Sequence, residues 1–245
     1  MKTVFYKIDL GLKKKIAFVS DLHDRPCEKV LAAIKDNSPD LILVTGDFVH
    51  DKPLEYSKNA KKFLATASRL APCFVSLGNH ERFLEKGDRF LIRTLGVTLL
   101  DNSFVCVDNA VIGGLSSFYM GRTEKISHFR RTVDSLNEMP QSNGAKSFLD
   151  EFEKTDGVKI LLCHHPEYYS AFIKDRKIDL VLSGHAHGGQ IRLFGLGLFA
   201  PDQGIMPVFT RGIYDGKLVV SAGLANTGGI VPRLFNPTEL VFIQA

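Results

Sequence analysis

The chain has 245 residues, 44% hydrophobic and 24% charged, the balance of a soluble globular protein with enough apolar material for a large core. A formal charge of +4 is too slight to imply a polyanionic partner, and no Lys/Arg cluster interleaved with aromatics marks a nucleic-acid groove. No apolar stretch approaches the ~18 residues of a membrane span, and Met1–Lys7 lacks the apolar core of a signal peptide, so a cytoplasmic location is expected.

Short apolar runs alternate with amphipathic stretches along the chain. Val4–Leu10 and Ile16–Val19 read as strands, and Glu28–Asp36 as a helix with Val30, Leu31 and Ile34 on helical spacing. Strand Leu41–Val44, helix Glu55–Leu70, strand Cys73–Leu77 and helix Lys86–Thr94 follow. Thr98–Leu100, Phe104–Val107 and Ala110–Ile112 are three close strands, with Asp108-Asn109 as a hairpin tip. Residues 118–144 are polar and less regular, with a short helix expected among them. Helix Ala145–Lys154, strand Ile160–Leu162, helix Glu167–Lys174 and strand Leu180–Leu182 come next, and Gln190–Phe194, Lys217–Ser221 and Glu239–Ile243 make the last third β-rich. With no linker or repeat, 1–245 is expected to be one α/β domain of mixed sheets with helices outside. The four cysteines form no CxxC pair; Cys73, Cys106 and Cys163 lie in apolar runs and are expected as buried thiols.

Five polar clusters each follow a strand: Asp21-Leu22-His23, Gly46-Asp47, Gly78-Asn79-His80-Glu81, His164-His165-Pro166 and Gly184-His185-Ala186-His187-Gly188-Gly189. Loops at the carboxyl ends of strands gather at one rim in α/β proteins, so five such clusters imply one shared site. Carboxylate, imidazole and amide oxygen donors suit divalent Mn, Fe, Zn or Ni, Mn being favoured, and the lack of thiolates argues against softer metals. Asp-x-His and His-x-His would each put two donors on one side of an extended segment. The glycines allow tight turns and close approach of backbone to an anion.

In this order the five clusters resemble the calcineurin-like metallophosphoesterase superfamily. Gly184–Gln190 and the tail Pro232–Leu240 are similar to a bacterial branch of small single-domain phosphoesterases. The resemblance implies four layers, αββα: two facing mixed sheets with helices outside. It implies that Asp21, His23 and His187 bind one divalent ion and that Asn79, His164 and His185 bind another. Asp47 would bridge, giving one oxygen to each metal. His80 would be no ligand but would stabilise the phosphate and protonate the leaving oxygen, oriented by an acidic neighbour. The implied reaction is attack of a metal-bridging hydroxide on a small-molecule phosphodiester, phosphomonoester or pyrophosphate.

Taken singly, each residue has an ordinary reading: Asp21 and Asp47 as turn caps, Asn79 as a left-handed turn residue, His185 and His187 as satisfied polar groups. All seven holding together in one order makes that set of coincidences the weaker account. His165 is assigned a supporting role, His50 and His128 are surface residues, and Glu81 either orients His80 or begins a helix. Arg25 and Arg233 are each either a phosphate contact or a surface charge. The segment Phe194–Met206 borders the site, as core packing or as a contact for an apolar substrate moiety. A nuclease is disfavoured for want of a basic stripe, and a non-catalytic scaffold because no ligand is missing. The sequence leaves the oligomeric state open.

Overall fold

The computed structural model describes residues 1–117, 144–225 and 231–245. The short helix expected within 118–144, and His128, lie outside the described residues. In chain order the first half contains β1 (Lys2–Lys7), β2 (Lys15–Val19), α1 (Glu28–Asn37), β3 (Leu41–Val44), α2 (Lys58–Leu70), β4 (Cys73–Val75), α3 (Lys86–Thr94), β5 (Thr98–Leu99), β6 (Ser103–Val107) and β7 (Ala110–Leu115). After α4 (Ala145–Phe152) come β8 (Val158–Cys163), β9 (Leu180–Ser183), β10 (Arg192–Leu193), β11 (Leu196–Gly197), β12 (Phe199–Ala200), β13 (Gly204–Ile205), β14 (Gly212–Tyr214), β15 (Leu218–Val220) and β16 (Glu239–Gln244).

Among the described residues twelve of these strands form two mixed six-stranded sheets, in the orders β1-β16-β2-β3-β4-β5 and β14-β15-β9-β8-β7-β6, and β10-β11 and β12-β13 are separate two-stranded pairs. Near-continuous apolar strands such as Leu41–Val44 and Ile160–Cys163 are what a sheet covered on both faces requires. Alternate residues of each strand go to different cores. Ile16, Phe18, Leu41 and Leu43 of the first sheet meet Ile160, Leu162, Leu180 and Leu182 of the second in a central core. Their neighbours Ala17, Val19, Ile42 and Val44 face outward, where Val30, Leu31 and Ile34 of α1 and Phe63, Leu64 and Ala67 of α2 cover them. On the other flank Leu161, Cys163 and Val181 pack beneath Phe148, Leu149 and Phe152 of α4. Three apolar layers between four layers of structure is the expected αββα sandwich.

Some local expectations shift. The first strand ends at Lys7, because it pairs in parallel with β16 from Lys2↔Glu239 to Lys7↔Gln244, and the partner's length limits it. The segment expected as helix Glu167–Lys174 is helical from Glu167 to Ile173, with Tyr169–Ile173 wound as a wide π-type turn. Cys73 and Cys163 are buried, but Cys106 is exposed, because β6 is an edge strand and Cys106 lies on its open face. Asp108, with φ 51°, turns the β6–β7 hairpin as expected. Among the described residues no helix is long and apolar enough to cross a membrane.

Candidate metal centre

The strand order brings the five clusters together. β2, β3 and β4 are neighbours in parallel, so Asp21 and His23, Asp47, and Asn79 and His80 leave one sheet side by side. β8 and β9 are parallel neighbours in the facing sheet and deliver His164, His185 and His187. Two donor groups result, Asp21 with His23 and His187, and Asp47 with His164 and His185. Within each group the candidate ligand atoms lie within 4.8 Å of one another, and all six residues are buried. Asn79 Oδ1, which the six leave aside, is a buried atom with no hydrogen-bond partner among the described residues.

The imidazoles are oriented from behind. His164 Nδ1 lies 2.9 Å from the carbonyl oxygen of Thr45, which can only accept, so Nδ1 carries a proton and Nε2 faces Asp47 Oδ2 at 3.0 Å. His185 Nε2 lies 3.0 Å from Asp202 Oδ2, which leaves Nδ1 to face inward. His23 Nδ1 lies 3.3 Å from His50 Nδ1, and its buried Nε2 stands 3.6 Å from Asp47 Oδ2. Close as they stand, His23 Nε2, His164 Nε2 and Asp47 Oδ2 make no hydrogen bond of proper geometry among the described residues. Buried polar atoms rarely go unpaired in a native fold, so their convergence fits donors built for a cation.

The electrostatics agree. Burial works against ionisation of Asp21 and Asp47, but the facing imidazoles hold both carboxyls below the ordinary range. Burial likewise opposes a charge on His164, yet Asp47 and Asp21 push it up to about 10. Burial instead takes His187 down to about 3. The carboxylate pair thus draws positive charge onto the atoms around it, a charge that a divalent cation would supply in place of protons.

Asp47 does not divide its oxygens between two groups. Oδ2 faces both His23 and His164, whereas Oδ1 accepts the backbone N–H of His80 at 2.9 Å. The Asp-x-His and His-x-His segments are not extended either. Asp21, His23, Asp47, His185 and His187 all have φ between 46° and 62°, a left-handed backbone that costs of order 1–3 kcal/mol at a non-glycine residue. The residues between the donors, Leu22 and Ala186, turn into the outer cores. Gly78 and Gly184 are required by loop-on-loop contact: a Cβ at Gly184 would collide with Ser20 Oγ and Asp21 Oδ2, and one at Gly78 with the Asp47 carboxylate.

Several supporting residues lay beyond the motifs. Glu81 does not orient His80. Its buried carboxylate accepts the N–H groups of Asp47 (2.7 Å), Gly78 (2.7 Å) and Val49 (3.1 Å), tying two ligand loops together, and burial with Asp47 nearby raises its pKa to about 7. The acidic neighbour of His80 is Asp51, whose Oδ1 lies 3.0 Å from His80 Nδ1. His80 Nε2 stands 3.9 Å from Asp47 Oδ2. Burial, with His23 and His50 adding to it, lowers the pKa of His80 against the opposing pull of Asp47 and Asp51. His50 is exposed as expected, but it also stacks on His80, with ring centroids 5.2 Å apart. His165 pairs with Glu167 at 3.0 Å, and with Glu167, His185 and Asp202 it forms a further group whose candidate ligand atoms lie within 4.8 Å of one another. Arg25 is exposed. Arg233 is neither a solvated charge nor free for a substrate at all its nitrogens: Nη2 donates to the carbonyls of Ala222 and Ala225.

Comparisons with known proteins agree with this arrangement. The family model for calcineurin-like phosphoesterases matches residues 14–189. A metallophosphoesterase of Campylobacter jejuni is 30% identical over 96% of this chain, which spans 60% of that relative's length. The UDP-2,3-diacylglucosamine pyrophosphatase LpxG of Chlamydia muridarum is 24% identical over 97% of this chain and 88% of its own. Among solved structures, TT1561 of Thermus thermophilus superposes with a TM-score of 0.50 at 16% identity, over 70% of this chain and 81% of that one, a likeness of fold. With the matched residues running from before β2 through the Gly-His-Ala-His-Gly-Gly loop, the chain belongs to the calcineurin-like phosphoesterase family.

Proposed function

We propose that this chain, acting as one catalytic unit, hydrolyses a phosphodiester, phosphomonoester or pyrophosphate-linked small molecule with two divalent metal ions. The observation that carries the reading is the convergence of two buried carboxylate–imidazole groups sharing Asp47 Oδ2 as their common edge. Asp21, His23 and His187 would hold one ion, and Asn79, His164 and His185 the other. When bound, such ions polarise phosphoryl oxygens and lower the pKa of coordinated water from 15.7 to about 7. Mn is the first candidate among Mn, Fe, Zn and Ni, given oxygen and nitrogen donors without thiolate.

The protein's own groups do the rest. Asp21 and Asp47 supply fixed negative charge that holds the ions, and Thr45 and Asp202 set the ring orientations of His164 and His185. His80, half-exposed over the donors with Asp51 behind its Nδ1, is placed to present Nε2 to a phosphoryl or leaving-group oxygen and to pass a proton to it. The name of the LpxG relative supports including pyrophosphate linkages among the candidates. The test is turnover of bis-p-nitrophenyl phosphate, p-nitrophenyl phosphate and nucleoside diphosphate conjugates after reconstitution with Mn, Zn or Fe. Metal-dependent turnover of at least one class is expected; none with any metal would remove the enzymatic reading.

A further inference from the structure

Nine of the fourteen large hydrophobic side chains exposed among the described residues lie in 193–213 and 234–235, next to the metal centre. Phe194 is fully exposed, and Leu196, Ile205, Met206, Val208 and Phe235 are each more than half exposed. Backbone hydrogen bonds bind these segments into one ledge. β10 pairs with β11, bringing Leu193 opposite Leu196, and β12 pairs with β13. Leu234 N–H donates to Gln190 O, Arg192 N–H to Leu234 O, and Met206 N–H to Leu198 O. The ledge is anchored to the site, since Leu198 N–H donates to the carbonyl of Gly189, two residues past His187. Phe194 and Phe235 sit at φ 50° and 53°, turns that project their rings outward instead of into the core. Core packing is therefore not what these side chains do.

Three arginines stand beside the ledge, whose one carboxylate, Asp202, is turned to His185. Arg192 Nη1 donates to Gly188 O and to Thr210 Oγ1, which sets Arg211 beside it, and Arg233 precedes the exposed Leu234-Phe235 pair. None of the three guanidiniums makes an ion pair among the described residues. Burial and then repulsion from Arg211 lower the pKa of Arg192, whereas at Arg233 burial lowers the pKa against the pull of Asp21 and Glu239. Separate apolar tips backed by the guanidiniums of Arg192 and Arg211 suit insertion among acyl chains beneath a layer of phosphates. A protein interface of the same size would instead favour a flat, complementary surface depleted of charge at its centre.

We propose that the ledge formed by residues 190–211 and 234–235 docks on an anionic phospholipid bilayer, holding the metal centre at the level of the headgroups. The proposal does not depend on the reaction catalysed, and vesicle binding is read without turnover. The full chain is floated with vesicles of phosphatidylcholine, or of phosphatidylcholine with phosphatidylglycerol, alongside Phe194→Ser, Phe235→Ser, the double variant and Arg211→Glu. All changed side chains lie outside the donor set, and hydrolysis of bis-p-nitrophenyl phosphate in solution should be the same for all four. The expected result is flotation with the anionic vesicles, weakened about tenfold by each Phe→Ser change. Arg211→Glu should weaken binding to anionic vesicles further than to neutral ones. Failure of the unaltered chain to float, or equal flotation of the double variant, overturns the proposal. So does a stable dimer by light scattering that Phe194→Ser dissociates, since the ledge would then be covered by a second copy.

Discussion

His80 Nδ1 lies 3.0 Å from the carboxylate oxygen Asp51 Oδ1, and that oxygen accepts a hydrogen bond from Arg82 Nη2 at 3.0 Å. The ring is thereby held with Nε2 toward the donor cluster. His80→Ala should keep both metals and lose about 10²–10⁴-fold in turnover, the usual contribution of general acid catalysis. The loss should be smaller on p-nitrophenyl esters, whose leaving group hardly needs a proton. Asp51→Asn should fall between wild type and His80→Ala. Equal losses on activated and unactivated esters would take His80 out of the acid role.

Asp202 approaches His185 from the β12–β13 turn and fixes which ring nitrogen faces inward. Partners of this kind typically contribute 10–100-fold in metal affinity, so Asp202→Asn should weaken the ion assigned to Asn79, His164 and His185 by about that factor. Asp202→Glu should restore part of it. Competition titration with a chromophoric chelator reads the effect without reference to turnover.

Glu81 joins the Asp47 and Gly78 loops through three backbone N–H groups. Glu81→Gln keeps one acceptor oxygen but turns an amide N–H₂ toward a backbone N–H that needs an acceptor. Leaving a buried donor unsatisfied costs about 1–3 kcal/mol, so denaturant unfolding of the metal-free protein should report a loss in that range. Metal affinity should fall with it, because Asp47 loses its support. A change confined to turnover, with stability and affinity intact, would mean that Glu81 acts on the substrate instead.

Asp47→Asn should be the most damaging single change. The anionic Oδ2 faces His23 and His164 together, and a neutral amide in its place offsets none of the charge of two cations. His164→Ala should also lose a metal. His165→Ala should retain both, because His165 pairs with Glu167 and not with Asp47. Metal analysis of the three variants side by side checks the ordering; loss of an ion from His165→Ala alone would exchange the roles of the two histidines.

Much of this architecture was legible in the sequence, because burial on both faces leaves unbroken apolar runs such as Leu41–Val44, whose bounds coincide with β3. The clusters were legible because each sits one to three residues past such a run. What the sequence could not convey was contact between distant segments. The pairing of His50 with His23, of Asp202 with His185, and of Glu81 with three backbone N–H groups depends on loops meeting across two sheets. Of the short hairpins from Arg192 to Ile205 only the first strand was legible, within Gln190–Phe194, because two-residue strands carry no measurable periodicity. Their hydrophobic residues looked like core material, since composition does not distinguish an apolar side chain that packs inward from one that projects.

The central claim is that Asp47 joins two metal-binding groups in one working centre. Titrating the metal-free chain with Mn while following bound metal by elemental analysis and turnover of bis-p-nitrophenyl phosphate tests it most directly. The account predicts that turnover rises until two ions are bound per chain and then stays level. Binding that saturates at one ion per chain, with full turnover at that point, would contradict it.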